Sequence, residues 1–72
     1  MKKIKKIKIT VNGKIKLIKE KTKLSHLIKF MKIPIKKVAI ELNEEIMDKK
    51  RLNRIILKKN DKLEIVHFIG GG

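Results

Sequence analysis

The dipeptide Asn12-Gly13 stands between two runs in which every second residue is apolar, and that arrangement dictates how the chain begins. Before it, Ile7, Ile9 and Val11 alternate with Lys6, Lys8 and Thr10; after it, Ile15 and Leu17 alternate with Lys14 and Lys16. A period of two belongs to a strand with one face against a core. Asn-Gly is the strongest short hairpin signal, because the favoured two-residue turn needs positive φ at both central positions. Residues 4–11 and the run after Gly13 are therefore predicted to form an antiparallel hairpin. A plain two-residue turn sets Val11 opposite Lys14 and Ile9 opposite Lys16, which places lysine beside isoleucine on one face. One extra residue in the connection pairs Val11 with Ile15 and Ile9 with Leu17. The hydrophobic pattern thus predicts a bulge or a longer turn near Asn12-Gly13.

The period then changes. Leu24, Leu27, Ile28 and Met31 recur at helical spacing and make one apolar stripe, with Phe30 at its edge. Thr22 is the expected N-cap, and Pro34 stops the helix, since it biases Ile33 toward extended geometry. His26 lies off the stripe and reads as a solvated helix residue. Val38 to Leu42 is a strand, Asn43-Glu44-Glu45 a turn, and Ile46-Met47 a short edge strand. Asp48 is placed to cap a single helical turn that carries Leu52 inward. Residues 55–57 are extended, and Lys58-Lys59-Asn60-Asp61 is a turn in which Asn60 takes positive φ. Leu63 to Ile69 is the last strand, with Val66 and Phe68 on the face opposite Leu63, Ile65 and Ile69. Apolar residues on both faces suit a central strand whose outer face meets a partner. One helix on a mixed sheet is an α+β arrangement, in which adjacent first and last strands run parallel. The expected organisation is one domain over 1–72, with Gly70, Gly71 and Gly72 as an extended, flexible tail.

Seventy-two residues without cysteine have neither disulfide nor thiolate metal site to hold them, so stability rests on a small core. The net charge is +14, and all but two of the 21 basic residues are lysine. Such charge suits nucleic acid, an anionic surface or an acidic partner. Here the lysines are spread along the chain, as compositional drift toward lysine and isoleucine produces, and Phe30 and Phe68 are too few for a base-stacking platform. Nucleic acid is therefore disfavoured as a partner. No apolar run approaches the ~20 residues of a membrane span, and Met1-Lys2-Lys3-Ile4-Lys5-Lys6 has no signal-peptide apolar stretch after it. A soluble cytoplasmic protein is expected.

Catalytic constellations are absent. Ser25 and His26 are helix neighbours that do not face each other, Glu44 and Glu45 are adjacent turn residues, and His67 reads as a packed or interface histidine. The three glycines cannot cradle phosphate, because no helix follows to aim its N–H groups. What remains is the carboxylate of Gly72, at the end of a slim tail that spans ~10 Å when extended. A carboxylate resists nucleophilic attack until one oxygen becomes a good leaving group, as adenylation by a partner enzyme makes it. With no cysteine to hold a persulfide, any sulfur carried would sit on the carboxyl carbon.

The run Leu63-Glu64-Ile65-Val66-His67-Phe68-Ile69-Gly70-Gly71-Gly72 closely resembles the C-terminus of the sulfur carriers of thiamine biosynthesis, the ThiS family. Ile9-Thr10-Val11-Asn12-Gly13-Lys14 is similar to that family's opening hairpin. Val38 to Ile46 is similar to its middle strand and turn, and Leu57 to Asp61 to its approach to the last strand. Asn60-Asp61 stands where the family often has Gly-Asp, and the chain is more basic than expected of such a carrier. The resemblance implies a ubiquitin-like β-grasp fold. It implies that an E1-like adenylyltransferase (ThiF) uses ATP to activate Gly72, that sulfur from a sulfur-donating enzyme converts it to a thiocarboxylate, and that thiazole synthase (ThiG) accepts the sulfur. On this reading the chain is a carrier with no bound cofactor rather than an enzyme. Gly72 bears the sulfur, Gly70 and Gly71 thread the partner sites, and Val66, Phe68 and Ile69 dock. A rival is the small subunit of molybdopterin synthase, which has the same tail chemistry but a pterin as acceptor. A rival of another class is a basic RNA-binding β-grasp module, whose affinity would fall steeply with salt.

Overall fold

In the computed structural model, which describes residues 5–68, the hairpin closes directly on Asn12-Gly13. β1 (Lys6–Val11) and β2 (Lys14–Lys19) pair with Val11 opposite Lys14, Ile9 opposite Lys16 and Ile7 opposite Ile18. The expected bulge is not there. Asn12 at φ 50° and Gly13 at φ 80° make the two-residue turn whose twist matches a hairpin. Turn geometry prevails over alternation because β2 lies at the sheet edge, where the core asks little of it. On its core-facing side only Ile18 is buried. Lysine tolerates such a rim because its stem covers apolar surface while its ammonium reaches water. Lys16 extends over the ring of Phe30, 5.9 Å from its centroid. Phe30, expected to cover the edge of the helical stripe, is 77% exposed. Ile15 and Leu17 face the open side of the sheet.

Helix α1 (Leu24–Phe30) buries Leu24, Leu27 and Ile28, the stripe read from the sequence. Thr22 does not cap it: its hydroxyl donates to the Lys19 carbonyl, and Lys23 occupies the cap position without a side-chain bond. The first helical N–H, on Leu24, is satisfied by the Ile55 carbonyl at 2.8 Å, and Leu57 donates to the Thr22 carbonyl at 2.8 Å. An extended segment far along the chain thus does the capping. The helix closes in a Schellman motif: Lys32, at φ 56°, donates to the Lys29 carbonyl, and Ile33 donates to that of Ile28.

After a short 3-10 turn at Ile35–Lys37 come β3 (Val38–Leu42) and β4 (Glu45–Ile46), joined by Asn43 and Glu44 at φ 52° and 69°. Asp48 accepts the Lys50 N–H at 2.9 Å and starts a 3-10 helix, Lys49–Arg54, that buries Leu52, as expected. Asn60 takes φ 68° in the turn before β5 (Lys62–His67). Strand order is β2-β1-β5-β3-β4, with β5 parallel to β1 and antiparallel to β3. The last strand is therefore central and lies parallel to the first, as expected. It ends at His67; Ile69 and Gly70–Gly72 lie outside the described residues.

One core lies between the sheet and α1. Ile9, Val11, Ile18, Val38, Ile40, Leu63 and Ile65 face the helix residues, with Leu52 and Leu57 closing the remaining side. Among the described residues no polar or charged side chain is buried.

Candidate functional site

The strand that leads toward Gly72 is β5, and its alternation decides what it offers to each side. Leu63 and Ile65 point into the core, whereas Glu64 and Val66 point to the open face. Val66 lies opposite Ala39 of β3 and remains 51% exposed. Phe68 follows the strand end. Its N–H still donates to the Lys37 carbonyl at 2.9 Å, its ring is 55% exposed, and the Lys49 ammonium stands 5.3 Å from the ring centroid. Val66 and Phe68 are thus close together at the C-terminal end of the central strand. Ile69, Gly70, Gly71 and Gly72, the other expected site residues, fall beyond the described region. His67, opposite Val38 at the end of the strand, is exposed and not packed in the core.

The open face is divided by charge. No lysine or arginine occurs from Val38 to Asp48 or from Leu63 to Gly72, although the chain has 21 such residues. The fold brings these two segments side by side as β3, β4 and β5. They hold five of the seven acidic residues: Glu41, Glu44, Glu45, Asp48 and Glu64. Glu41 lies directly opposite Glu64 on the open face, and exposed Ile46 lies opposite Glu41 on the other side. The β1–β2 half carries Lys6, Lys8 and Lys19 on the same face, around Ile15 and Leu17. One half of the face is therefore apolar and acidic, and the other is apolar and basic.

β5 is also gripped at both ends by asparagines that neither composition nor periodicity singled out. Asn12 Oδ1 accepts the Ile65 N–H at 2.7 Å, and Asn43 Oδ1 accepts the Lys62 N–H at 2.9 Å. Each asparagine opens a two-residue turn at positive φ. That position is the sequence signal available, because asparagine tolerates the conformation and its amide is free to bond elsewhere.

Among the described residues no group of three His, Cys, Asp or Glu side chains is placed to hold a metal ion. A shallow depression of about 330 Å³ between α1 and the 3-10 helix is lined by Ser25, Lys29, Lys49 and Asn53 among others. No described helix is long and apolar enough to cross a membrane.

A single helix across a five-stranded mixed sheet, with the last strand in the middle beside the first, defines a ubiquitin-like β-grasp domain. The model of the ThiS family matches residues 5–72. The sulfur carrier protein ThiS of Bacillus subtilis is 37% identical over 65 residues, which cover 89% of this chain and 98% of that one. The crystal structure of the thiamine biosynthesis protein ThiS from Geobacter metallireducens matches with a TM-score of 0.81 at 29% identity, over 92% of this chain and 100% of the other. A thiazole synthase of Magnetococcus marinus is 33% identical over 66 residues, but the chain spans only 20% of that protein's length. The chain belongs to the ThiS family, the sulfur carriers of thiamine biosynthesis.

Proposed function

We propose that this chain carries sulfur on the carboxyl carbon of Gly72 and delivers it for thiazole formation. An E1-like adenylyltransferase supplies the activation: the Gly72 carboxylate attacks the α-phosphorus of ATP and pyrophosphate leaves. A sulfide equivalent from a sulfur-donating enzyme then displaces AMP, so a C–S bond replaces a C–O bond and the product is a thiocarboxylate. Thiazole synthase takes the sulfur. The thiazole synthases that match the chain over about a fifth of their length (20% in each of two) support that partner. The chain itself is a protein co-substrate that needs no bound cofactor, and its place is the cytoplasm. Gly70 and Gly71 suit a narrow partner channel because they lack Cβ.

Val66, Phe68 and Ile69 are the docking contacts, together with the acidic half of the open face. That half fits a partner surface with an apolar centre and basic groups around it, and opposed charges there steer association and register. The observation that carries this reading is that the match to the sulfur-carrier family extends through Gly72. Intact mass after incubation with ATP, a sulfur source and the cognate adenylyltransferase tests it. The expected result is the gain of one oxygen-to-sulfur exchange, lost when Gly72 is deleted. An unchanged mass in the full chain refutes the proposal. Supplying thiazole synthase or molybdopterin synthase to the loaded carrier identifies the acceptor.

A further inference from the structure

Carboxylates are missing from one whole side of the molecule. No Asp or Glu occurs between Glu20 and Glu41 or between Asp48 and Asp61, and these two stretches hold more than half of the 21 basic residues. The fold brings them together, because α1 and the 3-10 helix Lys49–Arg54 pack side by side over the core.

Between these two helices lies the depression of about 330 Å³. Its floor is apolar: Ile28 and Leu52 belong to the core, and Ile33 and Ile35 are half-buried beside them. Its rim is cationic. Lys29 lies in the last turn of α1, Lys49 and Lys50 begin the 3-10 helix, and all three are exposed. No carboxylate lines it. The volume is at the bottom of the ~300–1,000 Å³ range of small-molecule sites, which suits one large side chain. Lys49 also ties the depression to the docking contacts, since its ammonium stands 5.3 Å from the Phe68 ring centroid.

We infer that this depression is a second docking pocket, which takes a large apolar side chain carried on an acidic segment of the adenylyltransferase. The inference rests on the sulfur-carrier reading. The adenylyltransferase is the enzyme that meets the unloaded chain, so selection of the carrier falls to it. Covering the floor supplies affinity, and carboxylates flanking the apolar side chain pair with Lys29, Lys49 and Lys50. The partner then presents charge of both signs: basic groups to Glu41 and Glu64, acidic groups to the depression. Contacts of opposite sign fix the register of docking, which a patch of one sign does not. Protein rather than RNA is the occupant, because the floor is aliphatic and has no ring on which a base would stack.

Steady-state adenylation of the full chain by its cognate adenylyltransferase tests this, with thermal melting of each variant. Lys29→Glu/Lys49→Glu/Lys50→Glu reverses the rim. Lys6→Glu/Lys8→Glu/Lys19→Glu makes the same change of net charge on the β1–β2 half. Ser25→Leu leaves every charge in place and fills the depression from within: Ser25 is half-buried on α1 and borders it, and leucine favours a helix. The rim triple and Ser25→Leu are each expected to raise KM for the carrier about tenfold, with kcat within about twofold. The control triple stays within about threefold of the wild-type KM at physiological salt. Ser25→Leu melts no lower than the wild type, so its loss is not one of folding. A wild-type KM in Ser25→Leu overturns the inference, and so does an equal rise in the control triple, which marks net charge alone. Salt-sensitive binding of a single-stranded RNA oligonucleotide, lost in the rim triple while adenylation is untouched, assigns the surface to nucleic acid and also overturns it. A full chain that accepts no adenylate overturns the sulfur-carrier reading and this inference with it.

Discussion

Val66→Asp separates the two halves of the open face. Val66 is 51% exposed in the free chain, so about half of its burial value is still available to a partner. Complete burial of a valine side chain contributes about 1.5–3 kcal/mol, and half of that is about 1 kcal/mol, roughly a fivefold change in affinity. Aspartate also places a carboxylate against the partner's apolar surface, where an unpaired charge costs more than the lost contact. The expected loss is therefore at least about tenfold in KM for adenylation. Folding changes less: the position lies opposite Ala39, and the substitution loses a strand preference of about 1 kcal/mol. Leu17→Asp is the matched control. Leu17 is 62% exposed on the same face, but it lies opposite Lys8, which an aspartate would pair with. The assay is adenylation rate against carrier concentration, with thermal melting of each variant. Equal losses in the two variants, or a larger loss in Leu17→Asp, would refute the assignment of the docking face to β5.

Lys32→Gly is expected to stabilise the fold. A non-glycine residue in the left-handed region costs about 1–2 kcal/mol, and glycine returns about 0.5–1 of that in unfolded-state entropy. The melting temperature should rise by roughly 2–6 °C, whereas Lys32→Ala should not raise it. Asp61→Ala removes the acceptor of the Lys58 N–H at 2.7 Å and of the Asn43 Nδ2 at 3.0 Å. A loss of about 1–2 kcal/mol in urea unfolding is expected. Added salt should raise the melting temperature. At net charge +14 the dominant surface interaction is self-repulsion, and among the described residues Lys62–Glu44 at 3.8 Å is an exposed ion pair worth little. Raising salt from about 0.01 to 0.15 M shortens the screening length from ~30 to ~8 Å, and a melting temperature that falls over that range would contradict this.

The parts of the fold legible in the sequence are those where local chemistry and tertiary packing agree. The stripe Leu24, Leu27, Ile28 is buried as its spacing implies, Asp48 caps the turn that buries Leu52, and Asn60 adopts the left-handed conformation its position requires. The misreadings arise where a distant contact decides. The hairpin register was not readable from alternation, because alternation assumes that both strands are covered and β2 is an edge. Thr22 lost the cap position because Ile55, thirty-one residues beyond Leu24, already supplies the acceptor. His67, read as packed or at an interface, is not packed, because the strand ends with it and leaves it exposed. The exposure of Val66 and Phe68, away from buried Leu63 and Ile65, was legible from period two alone. The two asparagines that hold β5 were not, because their partners lie 53 and 19 residues away in sequence.

The lysine content bears on the proposed docking face. Where a surface position asks only for solvation, this chain carries lysine, on β1, β2, α1 and both 3-10 helices. On the open face of β3, β4 and β5, after Lys62 at the start of β5, the chain instead holds half-buried Ala39, Glu41 and Glu64 and exposed Ile46 and Val66. Glu41 opposite Glu64 is unfavourable for the isolated domain, since like charges directly across two strands repel. A lysine at either position would turn that repulsion into attraction in a chain that uses lysine almost everywhere else. Stability of the free domain therefore does not account for the pair. On the proposed docking, a basic group of the partner seated between the two carboxylates, with Ile46 and Val66 covered, would account for both the pair and the scarcity of lysine there. Glu64→Lys then has a signed outcome: a more stable carrier that binds its partner less well.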